Sequence, residues 1–215
     1  MIGSKRGFLM RAVCAVALSA AAVLPAWAAD ASAPDLLIRQ LSLETLEAVK
    51  ADKAIQGGDL QKIVALVDTK VMPHVNFQRM TSSAVGRFWR QATPDQQKRL
   101  ESEFKILLVR TYAGALREVK DQTVALKPLR ASPEDTEVVV RTEVRGKGDP
   151  IQLDYRLEKT TNGWRIYDIN VLGIWLADQY RNSFAQEIGA NGIDGLIKAL
   201  ADRNQKAAQA PAGKA

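Results

Sequence analysis

Residues 137–158 read EVVVRTEVRGKGDPIQLDYRLE, and two alternations run through them. Val138, Val140, Thr142 and Val144 share one parity, while Glu137, Arg141, Glu143 and Arg145 share the other. After Gly146-Lys147-Gly148-Asp149 the pattern resumes: Ile151, Leu153, Tyr155 and Leu157 alternate with Gln152, Asp154, Arg156 and Glu158. A period of two, rich in β-branched residues and broken by a glycine-containing turn, predicts two consecutive strands. Each is apolar on one side only, which suits an antiparallel sheet with one covered and one solvated face. Asp154 falls on the polar parity and is expected to face water.

Outward from this stretch the sheet gains two more strands. Val124 and Leu126 start a weak one, and a fourth runs from Gly163 to Leu172 after the turn Thr160-Thr161-Asn162-Gly163. In that fourth strand Trp164 and Ile166 lie on one parity, and Tyr167, Ile169 and Val171 on the other. A bulge, or burial of both faces at one end, explains the break in phase.

Upstream the period is helical. Pro34 to Gln56 carries Leu37, Leu41, Leu46 and Val49 and stops at Gly57-Gly58; Asp59 then caps a helix that Pro73 ends. Residues 72–91 read as one or two short helices, broken near Thr81-Ser82-Ser83 and at Gly86. Thr93-Pro94-Asp95-Gln96 combines an N-cap Thr, Pro at the first helical position and Gln at the third, so a long helix starts there. Its apolar face runs through Leu100, Phe104, Leu107, Leu108, Tyr112 and Leu116, over about 25 residues. Helix resumes from Ile174 to Ile188, with Leu176, Tyr180 and Phe184 as its buried stripe. Gly192 or Gly195 separates it from a last short helix through Leu196, Ile197 and Leu200. The fold class is α+β: a twisted antiparallel sheet of about four strands, packed against several helices.

The ends are of a different kind. Lys5, Arg6 and Arg11 without an acid, an apolar run from Ala12 to Leu24, and Pro25-Ala26-Trp27-Ala28 have the anatomy of a secretory signal peptide cleaved after Ala28. Lys5-Arg6 also comes close to a twin-arginine signal. Residues 29–204 are then the folded domain, and the Ala/Gln/Pro-rich tail 205–215 is expected to be disordered. The chain has one cysteine, Cys14, and it lies in the leader, so an exported domain here depends on its core without a disulfide. Of 30 basic and 24 acidic residues, three basic ones belong to the leader. The remainder is mildly basic, which is not a nucleic-acid footprint.

Enzyme chemistry is sparse. His74 is the one histidine; with no second histidine and no cysteine beyond the leader, neither a metal cluster nor a Cys–His pair can be built. There is no phosphate loop and no nucleophile elbow. Asp168, at the phase break, is a candidate acid for an apolar pocket. Arg79, Arg87, Arg90, Arg110, Arg117 and Arg181 accompany apolar helices; they read as surface charges whose stems cover apolar area, or as a cluster at a pocket mouth.

Taken together, three groups of residues resemble the MlaC/toluene-tolerance family, soluble periplasmic proteins that bind phospholipid between the two membranes of Gram-negative bacteria. The first is residues 73–80, PHVNFQRM, with 85–93, VGRFWRQAT. The second runs from Gln97 through Phe104 to Leu108, with Thr111-Tyr112-Ala113 behind it. The third comprises Asp154-Tyr155-Arg156-Leu157, Gly163 to Asp168, Val171-Leu172-Gly173 and Tyr180-Arg181. The resemblance spans Leu36 to Ala201. Asn76 departs from it where an acid is frequent, and Trp175 where a serine is frequent.

The resemblance implies a helix-and-sheet fold of NTF2/cystatin-like flavour around a deep apolar cavity that holds acyl chains. It implies phospholipid as cargo, no cofactor and no catalysis. The implied partners are an outer-membrane lipoprotein–porin complex and an inner-membrane ABC transporter complex with its MCE-type subunit, visited by a monomeric carrier in the periplasm; a hopanoid-type cargo belongs to the same family. Strand parity and helix facing nominate the cavity wall: Phe77, Met80, Phe88, Trp89, Phe104, Leu108, Tyr112, Val140, Leu153, Tyr155, Ile166, Val171, Ile174, Trp175 and Tyr180. Trp175 is expected at the rim, off the stripe of its helix, covering a pocket mouth or meeting a neighbouring element. Two other readings stay open: an enzyme or small-molecule binder using Asp168, Tyr155 or His74, and an interaction module with a solid core.

Overall fold

The computed structural model describes residues 33–209. The leader and its cleavage site after Ala28 lie outside the described residues, as do residues 210–215 of the tail. Five strands form one antiparallel meander in sequence order: β1 Thr123–Leu126, β2 Glu137–Arg145, β3 Ile151–Thr160, β4 Gly163–Val171 and β5 Ile174–Trp175. In the β2–β3 register Val138 faces Leu157, Val140 faces Tyr155 and Thr142 faces Leu153. The apolar parities of the two strands thus coincide on one face, which we call the inner face.

The fifth strand replaces two residues that the sequence assigns to the following helix. Leu172 and Gly173 both adopt left-handed backbone, with φ of 52° and 91°. Positive φ at both central residues makes a two-residue hairpin of the type whose twist matches antiparallel strands. Val171 therefore pairs with Ile174, and Asn170 with Trp175, before α6 begins at Leu176. The Asn170 Oδ1 accepts the Gly173 N–H at 2.8 Å, and the Leu172 N–H donates to the Gln152 carbonyl at 3.1 Å.

The phase break in β4 is a bulge. Arg156 pairs with Asp168 but Leu157 with Ile166, so Tyr167 is the extra residue. That step lets Trp164 and Ile166 share the inner face with Ile169 and Val171, despite their opposite parities. It also leaves the Ile166 carbonyl to accept the Asn76 N–H at 2.8 Å, beside a parallel bridge from Val75 to Ile166.

The helices follow their caps. α1 (Pro34–Ala51) breaks at Asp52, whose carboxylate caps the single turn α2 (Lys53–Gln56). Asp59 caps α3 (Leu60–Leu66), which ends in a π turn over Val67–Val71 and a 3-10 turn over Met72–His74. α4 runs unbroken over Phe77–Val85, through the hydroxyl-rich stretch where the sequence suggests an interruption. There Thr81 donates to the Phe77 carbonyl, and Ser82 and Ser83 to that of Arg79, so the hydroxyls bond back along the helix instead of ending it. The break comes at Gly86, with φ of 65°. α5 (Pro94–Arg117) opens with a complete capping box between Thr93 and Gln96. α6 (Leu176–Gln209) kinks at Gly192 and reaches Gln209, five residues into the stretch read as tail.

Three apolar clusters result. α4, α5 and α6 pack on one another; α1 packs on the inner face of β2, β3 and β4; and α1, α2, α3 and α5 enclose a third group around Val49 and Ile63.

Candidate functional site

The helical cluster is centred on Phe104, which has no exposed surface. Its ring lies 5.8 Å from that of Phe77, 5.1 Å from Tyr180 and 5.3 Å from Phe184, the last two edge-on, the geometry aromatic pairs favour. Met80 and Leu108 are buried in the same cluster, and Phe88, Trp89, Tyr112 and Val171 pack against it half-buried. The Gln97 amide donates to the Trp89 carbonyl at 3.0 Å and ties the turn Gly86–Gln91 to α5. On the sheet side, Val140 and Ile166 are buried and Tyr155 packs beside them, with Leu37, Ile38 and Leu41 of α1 against the same face. Leu153 is half-buried on that face, opposite Thr142 and Val171. Burial pushes the phenols of Tyr155 and Tyr112 above the ordinary tyrosine value.

Val75 and Ile169 touch both the helical cluster and the sheet cluster. Fourteen of the fifteen nominated residues therefore lie on one side of the sheet, thirteen of them around this junction. Trp175 does not. Ile174 shares the inner face through its pairing with Val171 but is 55% exposed at the hairpin, away from the junction. Trp175 pairs with Asn170 across β4–β5 and carries the Arg156 guanidinium 3.8 Å from its ring centroid, which places it on the outer face. The physical reason is the Leu172-Gly173 hairpin: it makes these residues a strand, whose side chains alternate, where a helix was expected. Phe184, Val138, Leu157 and α1's apolar face, which the sequence reads as apolar stripe or parity positions but does not nominate for the wall, pack in the same clusters.

The outer face is polar but not uniformly wet. Asp168 is 2% exposed, and burial raises its carboxyl above the ordinary value. Its Oδ1 accepts the N–H groups of Ile169 at 3.0 Å and Ala177 at 3.2 Å, and its Oδ2 meets Arg156 at 3.1 Å. The carboxylate thus anchors the first turn of α6, where a negative charge suits the helix dipole. Asp154 keeps the outward parity expected of it, yet is only 6% exposed, contrary to the expectation that it faces water. It is flanked across the strands by Arg141 and Asn170 and along its own strand by Gln152, whose amide donates to Oδ2 at 2.9 Å.

A second polar group pins α4 to the sheet. Arg79 donates to Glu137 at 2.7 Å and also to Glu158, and its guanidinium lies 3.7 Å from the Tyr167 ring centroid. Hydrogen bonding to Arg79 holds the Glu137 carboxyl below its ordinary value. Asn76 caps α4 through Oδ1, accepting the Arg79 N–H at 3.0 Å, while its amide donates to Glu158 at 2.6 Å. An acid at this position could do only the first. His74, half-buried, ends the 3-10 turn. Among the described residues no group of three or more His, Cys, Asp or Glu side chains is placed to hold a metal ion, and no helix is long and apolar enough to cross a membrane.

Comparison with known proteins decides the family. Residues 39–202 match the family model described as MlaC protein. The chain belongs to the MlaC family. It is 25% identical over 197 residues to toluene tolerance protein ttg2D of Pseudomonas putida, an alignment covering 88% of this chain and 92% of that one. It is 21% identical over 170 residues to the intermembrane phospholipid transport system binding protein MlaC of Haemophilus influenzae, covering 77% and 79%. Among solved structures, a phospholipid-binding protein from Ralstonia solanacearum in complex with a phospholipid superposes with a TM-score of 0.79 at 48% identity, covering 81% of this chain and 98% of that one.

Proposed function

We propose that this MlaC-family protein is a non-enzymatic periplasmic carrier that takes phospholipid acyl chains into the layer between the sheet and the helices. The observation that carries the reading is its 48% identity to a protein of the same fold that holds a phospholipid. The arrangement of side chains supports it. Phe77, Met80, Phe104, Leu108, Tyr112 and Tyr180 form the helical wall, with Phe88, Trp89 and Val171 beside them. Val140, Leu153, Tyr155 and Ile166 form the sheet wall. Ile174 and Trp175 belong to neither.

Energetics explain why a carrier is needed. Hiding a sixteen-carbon chain from water is worth roughly 12 kcal/mol at about 0.8 kcal/mol per methylene. A lipid held in this way does not leave quickly by itself, so release calls for docking partners that bind the emptied state better. In the proposed cycle the protein moves as a monomer between an outer-membrane lipoprotein–porin complex and an inner-membrane ABC transporter complex with an MCE-type subunit, and so maintains outer-membrane lipid asymmetry. No bond is made or broken, and no cofactor is called for.

Native mass spectrometry of the protein purified without detergent, paired with solvent extraction, tests this. A phospholipid-mass adduct present in both supports the carrier reading and names the cargo. A clean mass that stays clean after incubation with liposomes would overturn it.

A further inference from the structure

Between α5 and the end of α6 lies a cleft of about 150 Å³ lined by Leu107, Arg110, Thr111, Arg203, Asn204 and Ala207. Its polar groups are incompletely partnered. The Nε of Arg110 is buried without a hydrogen-bond acceptor, and the Oδ1 of Asn204, on a residue only 5% exposed, is buried without a donor. Groups of this kind are rare in native proteins, because each forfeits its hydration for nothing. The other half of Asn204 is engaged: its amide donates to the Glu103 carbonyl at 3.0 Å and the Glu103 carboxylate at 2.7 Å, which fixes the side chain and leaves Oδ1 as its free acceptor. The Thr111 hydroxyl donates to the Leu107 carbonyl at 2.8 Å, so its oxygen is left as an acceptor.

The charges are equally uncompensated. Among the described residues, neither Arg110 nor Arg203 pairs with a carboxylate, although thirteen ion pairs occur elsewhere. Neither lies in a terminal helical turn, so the helix dipole does not account for their placement. A single bridging water could serve Nε and Oδ1 together, but the cleft is several times larger than one water requires and water does not neutralise two guanidinium groups.

We propose that this cleft binds a small phosphoester: the phosphate on Arg110 and Arg203, and a neighbouring hydroxyl or ammonium donor on Asn204 Oδ1 and Thr111 Oγ1. Guanidinium groups match phosphate in charge and in the fork of their donors. Two sources share this chemistry, a lipid headgroup of the glycerol or ethanolamine type and a free phosphoester such as glycerol 3-phosphate. The headgroup source rests on the carrier reading above; the free source does not. The floor of the cleft, Leu107, is 3% exposed and belongs to the helical apolar cluster, so the polar site adjoins the proposed acyl wall.

The experiment compares the wild type with Arg110→Met and Arg203→Ser, the second at an exposed position whose loss leaves the fold intact. Glycerol 3-phosphate is titrated by calorimetry, and in parallel the headgroups taken up from mixed phosphatidylethanolamine and phosphatidylglycerol vesicles are read by mass spectrometry. Binding of glycerol 3-phosphate, weakened about tenfold or more in each variant, supports the free source; tenfold is the weight of one charge-assisted hydrogen bond. No soluble binding, but a headgroup preference that both variants abolish, supports the lipid source. If the wild type takes up no lipid the carrier reading fails, and the calorimetric arm alone then decides the cleft. Absence of soluble binding together with unchanged headgroup composition in both variants, or with no lipid uptake at all, would overturn the proposal.

Discussion

The two faces of the sheet are built on opposite principles from the same alternation. On the inner face Val138, Val140, Leu157 and Ile166 are buried by contact with other apolar groups, and any similar set of apolar side chains could hold them. On the outer face Asp154, Asp168 and Asn170 are buried to nearly the same degree, and each requires particular partners. Asp168 takes two backbone N–H groups and a guanidinium; Asn170 holds the hairpin turn. The inner side is therefore tolerant and suited to a variable apolar cargo. The outer side is specific, and fixes where α6 starts.

The sharpest way to break this comparison is within the inner side. Phe104→Ala removes the ring around which Phe77, Tyr180 and Phe184 pack and should cost about 3–5 kcal/mol, read by urea unfolding of the delipidated protein. Leu157→Ala, on the sheet wall, should cost less, about 2–3 kcal/mol, if that wall borders acyl space already lacking some of its contacts; a loss equal to that at Phe104 would mark the sheet side as solid core.

Next in size is the hairpin. Leu172 is 65% exposed and held in left-handed backbone that penalises a bulky side chain. Leu172→Asn should stabilise the protein by about 1 kcal/mol, seen as a raised Tm, because Asn tolerates that conformation; an unchanged or lowered Tm would mean that Leu172 makes compensating contacts.

The smallest effect is a slope. The folded carboxyl of Asp168 is raised, so the folded state binds its proton more readily than the unfolded chain. Its contribution to stability is full below the unfolded value near 3.8 and is lost as pH rises through the folded value. Asp168→Asn removes that dependence, so the variant should compare more favourably with the wild type at pH 7 than at pH 4 in urea midpoints. The opposite trend would make the Arg156 pair, rather than burial, the dominant influence.

Much of the inner side is legible in the sequence alone. Leu100, Phe104 and Leu108 repeat at helical spacing, Thr93 to Gln96 spell a capping box, and Val138 to Leu157 alternate cleanly, because each pattern is set by local geometry within one element. Less legible are the burial of Asp154 and the strand at residues 174–175, which the sequence assigns to a helix. Parity tells which way a side chain points but not what stands beside it, and two left-handed residues in a row are not signalled by a leucine. The phosphoester cleft was visible only as Arg110 among several helical arginines, since Asn204 is 94 positions away.

What the sequence determined by itself is the α+β class, the meander, the long α5 and the apolar composition of both walls, because periodicity and capping act over a few residues. The tertiary structure alone decided between the two readings of the phase break in favour of a bulge at Tyr167, and decided the transfer of Trp175 to the outer face, the burial of Asp154 and the placing of Arg110 and Asn204 on one cleft. Each of those depends on which distant neighbour a side chain encounters, and on the burial that neighbour imposes, and neither quantity is written in any single element.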